Sequence, residues 1–112
     1  MWTYEARVMR IIDGDTIDVM IDVGFSQFTK QRLRLNFIDT PERGQEGFTE
    51  ATNHLKLSIP PGRMIIIRSV KKDSFGRWLA TLWLSEKELE RGDRNSINQE
   101  LLDLGLAVPY KK

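Results

Sequence analysis

At 112 residues, with 40% apolar and 29% charged side chains, the chain is expected to form a single domain, residues 1–112, around one hydrophobic core. The absence of cysteine excludes disulfide staples, thiolate metal sites and a cysteine nucleophile, and a single histidine, His54, excludes most triads that rely on an imidazole base. A net charge of +1 does not by itself mark a nucleic-acid binder, and no stretch approaches the roughly 18 apolar residues of a membrane span. Trp2 to Ile12 reads as a strand rather than a secretory signal, so either a cytoplasmic protein or a processed secreted form is expected.

Tyr4 to Ile12 is rich in β-formers and is broken by Asp13-Gly14. Thr16 to Val23 then alternates strictly, with Ile17, Val19, Ile21 and Val23 on one face. Two strands flanking Asp-Gly predict a tight type I′ hairpin, whose central residues both need positive φ. A second turn at Gly24 to Gln27 leads to a third strand, Phe28 to Ile38, with Leu33, Leu35 and Phe37 inward and Arg32, Arg34 and Asn36 outward. Asp39-Thr40-Pro41 ends it, because proline cannot donate to a central ladder.

A helix is predicted from about Glu46 to Leu57, stopped by Pro60-Pro61-Gly62. Met64 to Val70 and Trp78 to Leu84 are two more strands, joined by Asp73-Ser74-Phe75-Gly76. Ser96 to Gln99 fits a capping box opening a helix that closes at Gly105. The fold class predicted is mainly β with helices (α+β): an OB-fold, a five-stranded Greek-key barrel with a helix between strands three and four and a C-terminal helix.

In a three-strand meander the start of the second strand and the end of the third lie at one edge. This brings Asp15 and Asp39 to one end of the barrel. Matching inward faces requires paired residue numbers that add to about 50 or 52, so Asp15 falls opposite Leu35 or Phe37 and a bend at Thr40-Pro41 is needed to bring Asp39 in. Carboxylates converging at a strand mouth repel unless a cation separates them, and a hard ion such as Ca²⁺ suits oxygen donors. On an open sheet Arg34 has the opposite side-chain parity and faces away from Asp15, so barrel coiling or a bulge near the Asp13-Gly14 turn has to bring them together. Substituting Asp15 by alanine is expected to spare the barrel, since it relieves repulsion. The plainer alternative is that these acids only make turns.

Three segments, taken in order, carry a resemblance: Asp13-Gly14-Asp15-Thr16, Arg34-Leu35-Asn36-Phe37-Ile38-Asp39-Thr40-Pro41-Glu42, and Asp73-Ser74-Phe75-Gly76-Arg77. Together they resemble the staphylococcal nuclease-like (thermonuclease) family over roughly residues 5 to 108. The resemblance implies a calcium-dependent nuclease that hydrolyses phosphodiester bonds of DNA and RNA, favours single strands and leaves 3′-phosphate ends. It implies Ca²⁺ on the Asp15 and Asp39 carboxylates and the Thr40 carbonyl, Glu42 orienting or deprotonating the attacking water, and Arg34 and Arg77 on the scissile phosphate. Phe75 and Tyr110 would contact substrate, although the family often has a tyrosine where this chain has Phe75. The partners expected are thus DNA and RNA, with no membrane, and the chain is expected to act as a monomer. The alternative is a non-catalytic OB-fold module that binds nucleic acid or a protein partner.

Overall fold

A computed structural model describes residues 2–110. Seven strands and three α-helices are found among the described residues, in the order β1 (Trp2–Asp13), β2 (Thr16–Gly24), β3 (Gln27–Leu35), β4 (Ile38–Asp39), α1 (Phe48–Ser58), β5 (Met64–Lys72), β6 (Trp78–Trp83), α2 (Glu86–Glu90), α3 (Ile97–Asp103) and β7 (Val108–Pro109). A 3-10 turn, Asp93–Asn95, precedes α3.

Five of these strands close a barrel in the order β1-β2-β3-β6-β5, with β5 returning to β1. The OB-fold expectation holds, with α1 between the third and fourth barrel strands. The alternating apolar faces of β1, β2 and β3 fill the interior with Ala6, Val8, Ile17, Val19, Leu33 and Leu35, and β5 and β6 add Ile65, Ile67, Ala80 and Leu82. Leu55 of α1, Ile59 just past its end, and Ile97 and Leu101 of α3 close the core at its ends. Closure removes the sheet edges that would otherwise invite strand addition.

The β2–β3 register pairs Thr16 with Arg34 and Ile17 with Leu33, numbers that add to 50 as predicted. The β3–β6 contact is parallel and short, Leu33 with Trp78 through Leu35 with Ala80. That pairing carries the β5–β6 hairpin tip, Asp73 to Arg77, alongside the end of β3.

Three local expectations are corrected. Gly14 lacks the positive φ of a type I′ turn. The positive pair lies instead at Phe25 (φ 55°) and Ser26 (φ 59°), in the hairpin between β2 and β3. A Cβ added at Gly14 would lie 2.8 Å from both Ala51 Cβ and Thr40 Oγ1, so glycine is required there for close approach. The third strand stops at Leu35 rather than Ile38, because Phe37 takes a left-handed φ of 54° and turns the chain into the separate β4. Helix α1 begins at Phe48 rather than Glu46. Gln45 N–H donates to the Glu42 carbonyl, closing a turn that takes up those residues, and Gly47 at φ 90° starts the helix.

At α3, Ser96 Oγ accepts from Gln99 N–H at 3.0 Å, but the Gln99 side chain donates to Asp103 Oδ1 at 2.9 Å. Half of the predicted capping box is therefore made. His54 Nε2 lies 2.6 Å from Glu100 Oε1, which ties α1 to α3.

Candidate active site

Three chain segments meet at one rim of the barrel. The β1–β2 turn delivers Asp15, the segment after β3 delivers Asp39, Thr40 and Glu42, and the β5–β6 hairpin delivers Phe75 and Arg77. All six, with Arg34 and Tyr110, line a single groove of about 410 Å³, so the eight sequence-predicted residues converge.

Asp15 is buried and heavily partnered. Its Oδ2 accepts from Thr40 N–H at 3.1 Å, and its Oδ1 from the Thr16 hydroxyl at 3.1 Å. Burial pushes its carboxyl up, but the Thr40 N–H and the Arg34 charge outweigh this and hold it below the usual carboxylate range. Neighbouring Asp13 shifts the other way, raised by its own burial and by the proximity of Asp15.

Arg34 and Asp15, which an open sheet would hold apart, are brought together in the closed barrel. Arg34 starts on the outer face opposite Thr16, yet its side chain folds over the end of β3. Nη1 donates to the carbonyls of Leu35 and Ile38, both at 2.8 Å. This anchoring aims Nη2 at Asp15 Oδ2 (3.4 Å) and Asp39 Oδ1 (3.2 Å). A long stem and two carbonyl acceptors achieve what strand parity forbids, helped by the register shift between Ile11 and Asp13.

Asp39 arrives by a different bend from the one predicted. The chain turns at Asn36-Phe37, upstream of Thr40-Pro41, with Phe37 N–H donating to Asn36 Oδ1 at 3.0 Å. β4 then pairs with β7, Ile38 with Pro109 and Asp39 with Val108, and Tyr110 N–H donates to the Phe37 carbonyl at 2.9 Å. The same pairing lays the Tyr110 ring over Arg34, with the guanidinium carbon 5.4 Å from the ring centroid.

Across the groove, the hairpin turn is organised by Asp73. Its Oδ1 accepts from the backbone N–H groups of Phe75 and Arg77, and its Oδ2 accepts from Arg77 Nε at 2.7 Å. Arg77 is thus held by Nε alone, which leaves its Nη nitrogens to the groove. The Phe75 ring, 81% exposed, stands beside it. Glu42 is exposed on the rim and makes no ion pair among the described residues.

A divalent ion can be tested against these donors. Among the described residues no three His, Cys, Asp or Glu side chains form a ready metal cage. The Asp15 and Asp39 carboxylates both lie within 3.4 Å of one nitrogen, Arg34 Nη2, and Thr40 lines the same groove. Such a set of hard oxygens fits Ca²⁺, which fills its remaining positions with water or substrate oxygens, and suits no thiophilic metal.

Sequence reasoning missed Asn98. Its fully buried amide accepts from Leu82 N–H through Oδ1 and donates to the Asn36 and Ala80 carbonyls, fixing the turn that leads to Asp39. An asparagine at the first turn of a helix gave no signal of that reach. Lys71 also lines the groove.

The family model described as staphylococcal nuclease homologue matches residues 32–112. Protein ParB of Escherichia coli is 34% identical over 108 residues, covering 94% of this chain and 56% of that protein. An uncharacterized endonuclease of Escherichia coli O157:H7 is 30% identical over 106 residues, covering 95% of this chain and 61% of that protein. The chain therefore spans somewhat more than half the length of these relatives. A match across most of the chain, including the segment after β3 and the β5–β6 hairpin, is decisive for kinship: this chain belongs to the staphylococcal nuclease homologue family.

Proposed function

We propose that this chain is a Ca²⁺-dependent nuclease that hydrolyses phosphodiester bonds in single-stranded stretches of DNA and RNA and leaves 3′-phosphate ends. The observation that carries the reading is the meeting of two guanidiniums, two metal-suited carboxylates and an unpaired glutamate around one groove. The word endonuclease in the names of two relatives supports it.

In-line attack on a phosphodiester builds negative charge on the equatorial oxygens, and preorganised cations stabilise that charge as it develops. Arg77, held at Nε by Asp73, presents its Nη edge for two phosphate oxygens. Arg34, fixed by two carbonyls, keeps its charge at the groove floor without reorganising during reaction. Glu42 orients the attacking water and takes its proton, the role its exposed, unpaired carboxylate suits. Tyr110 and Phe75 offer aromatic faces on which bases stack. A Ca²⁺ ion on Asp15, Asp39 and the Thr40 carbonyl would supply Lewis-acid polarisation of the phosphate.

Digestion of heat-denatured DNA with Ca²⁺ and with EGTA tests the reading. Cleavage is expected only with Ca²⁺, and Arg77→Ala is expected to lower its rate by about 10²-fold or more. Binding without cleavage under both conditions would make the chain a non-catalytic nucleic-acid module instead.

A further inference from the structure

The parallel pairing of Leu33 with Trp78 sets the residue before each, Arg32 and Arg77, side by side on the outer face of the barrel. A second, shallow groove is lined by Arg32, Phe75 and Arg77. Phe75 and Arg77 therefore form a wall shared by the catalytic groove on one side and an Arg32 groove on the other.

β3 continues that second groove outward. Its outward positions are Arg34, Arg32, Lys30 and Phe28, with no register shift against β2 between Arg34 and Phe28. Successive outward positions on a strand are about 6.6–6.8 Å apart, of the same order as the repeat of an extended sugar–phosphate chain. Arg10 of β1 flanks the row through Asp18.

The acids on this face are mostly engaged. Asp18 accepts a bidentate contact from Arg32, at 2.7 and 3.1 Å, and Asp22 accepts from Gly24 N–H to hold the hairpin turn. Arg32 is still half exposed, and Lys30 is exposed and makes no ion pair among the described residues. Beyond Lys30 the row ends on two large solvent-facing rings, Phe28 (62% exposed) and Phe25 (98% exposed). Cations spaced along a strand and ending in exposed aromatics match a single-stranded nucleic acid, which needs phosphate neutralisation and stacking platforms together.

We propose that the outer face of β3 is an extended single-strand track. Arg32 and Lys30 hold the phosphates that flank the scissile one, and Phe28 and Phe25 stack distal bases. The track deepens the nuclease reading above, on which it rests, by making the substrate a strand several nucleotides longer than the catalytic groove.

The test is binding of a fluorescein-labelled 12-nucleotide oligothymidylate, followed by anisotropy in EGTA across a salt series, with cleavage by the same proteins measured separately in Ca²⁺. Each phosphate contact contributes about 0.7 to the slope of log K against log salt for a single strand. Lys30→Gln and Arg32→Gln are each expected to weaken binding several-fold and to flatten the slope by about 0.7, while Lys87→Gln on α2, which lines neither groove, leaves the slope as in wild type. Lys30→Gln breaks no ion pair, so it keeps the test valid even where Arg32→Gln disturbs Asp18. Slopes for both variants equal to wild type, or no binding of the 12-mer at all, would overturn the track. Flattened slopes in a protein that fails to cleave with Ca²⁺ would uphold the track while removing the nuclease reading.

Discussion

The buried Asp15 carboxylate accepts the backbone N–H of Thr40 at 3.1 Å, joining the start of β2 to the loop after β4 across 25 positions of sequence. Asp15 is thus a structural strut at the rim, and its removal is expected to cost stability even though the barrel still forms. Asp15→Ala would leave the buried Thr40 N–H without its partner and take from Arg34 one of its two carboxylates, a loss of about 1–3 kcal/mol. Half-exposed Asp39 has only the Arg34 contact, so Asp39→Ala is expected to lose less than about 1 kcal/mol. Urea unfolding of both variants measures the difference, and equal stabilities would remove the strut.

Gly14 tests how tightly the rim is packed. Gly14→Ala must push Ala51 or Thr40 away from a Cβ placed 2.8 Å from each, at an expected cost of about 1–3 kcal/mol. Adding Ala51→Gly is expected to recover part of that loss, since it clears one of the two clashes. Thermal unfolding of the single and double variants reads this directly.

Asn98→Ala strips partners from Leu82 N–H and the Asn36 carbonyl inside the fold, with an expected loss of about 2–4 kcal/mol. Because Asn36 begins the turn toward β4, the variant is also expected to lose cleavage more steeply than its folded fraction falls. Activity per folded molecule, from circular dichroism and cleavage on one sample, checks that expectation.

The pH dependence is legible at Asp73. Burial pushes its carboxyl up, but hydrogen bonds from Arg77 and Phe75 win and hold it below the ordinary 3.8. A depressed folded value means the carboxylate stabilises the fold above its unfolded pKa, and that contribution disappears as pH falls through the folded one. The melting-temperature gap between wild type and Asp73→Asn is therefore expected to be full at pH 6 and to narrow as the pH falls below the ordinary 3.8.

The barrel was readable because its strands alternate cleanly. Ile17, Val19 and Ile21 against Leu33 and Leu35 fix the β2–β3 register, and a one-residue slip would expose the whole core face. Short elements were not readable. β4 and β7 have two residues each, too few for any periodicity, and α2 lies in a charged stretch with no buried residue. The site was legible as a set of residues, but Arg34 shows the limit. Parity describes where a side chain starts, and a guanidinium anchored by the carbonyls of Leu35 and Ile38 ends somewhere else.

In the proposed reaction two fixed arginines and one free glutamate act on a phosphate at this rim. The rate of single-stranded DNA cleavage at saturating Ca²⁺, compared among wild type, Arg34→Gln, Arg77→Gln and Glu42→Gln, tests it most directly. Each variant is expected to fall by about 10²-fold or more while still binding the 12-mer in EGTA. Rates within a factor of about three of wild type for all of them would contradict it, since transition-state contacts of this kind carry far larger effects.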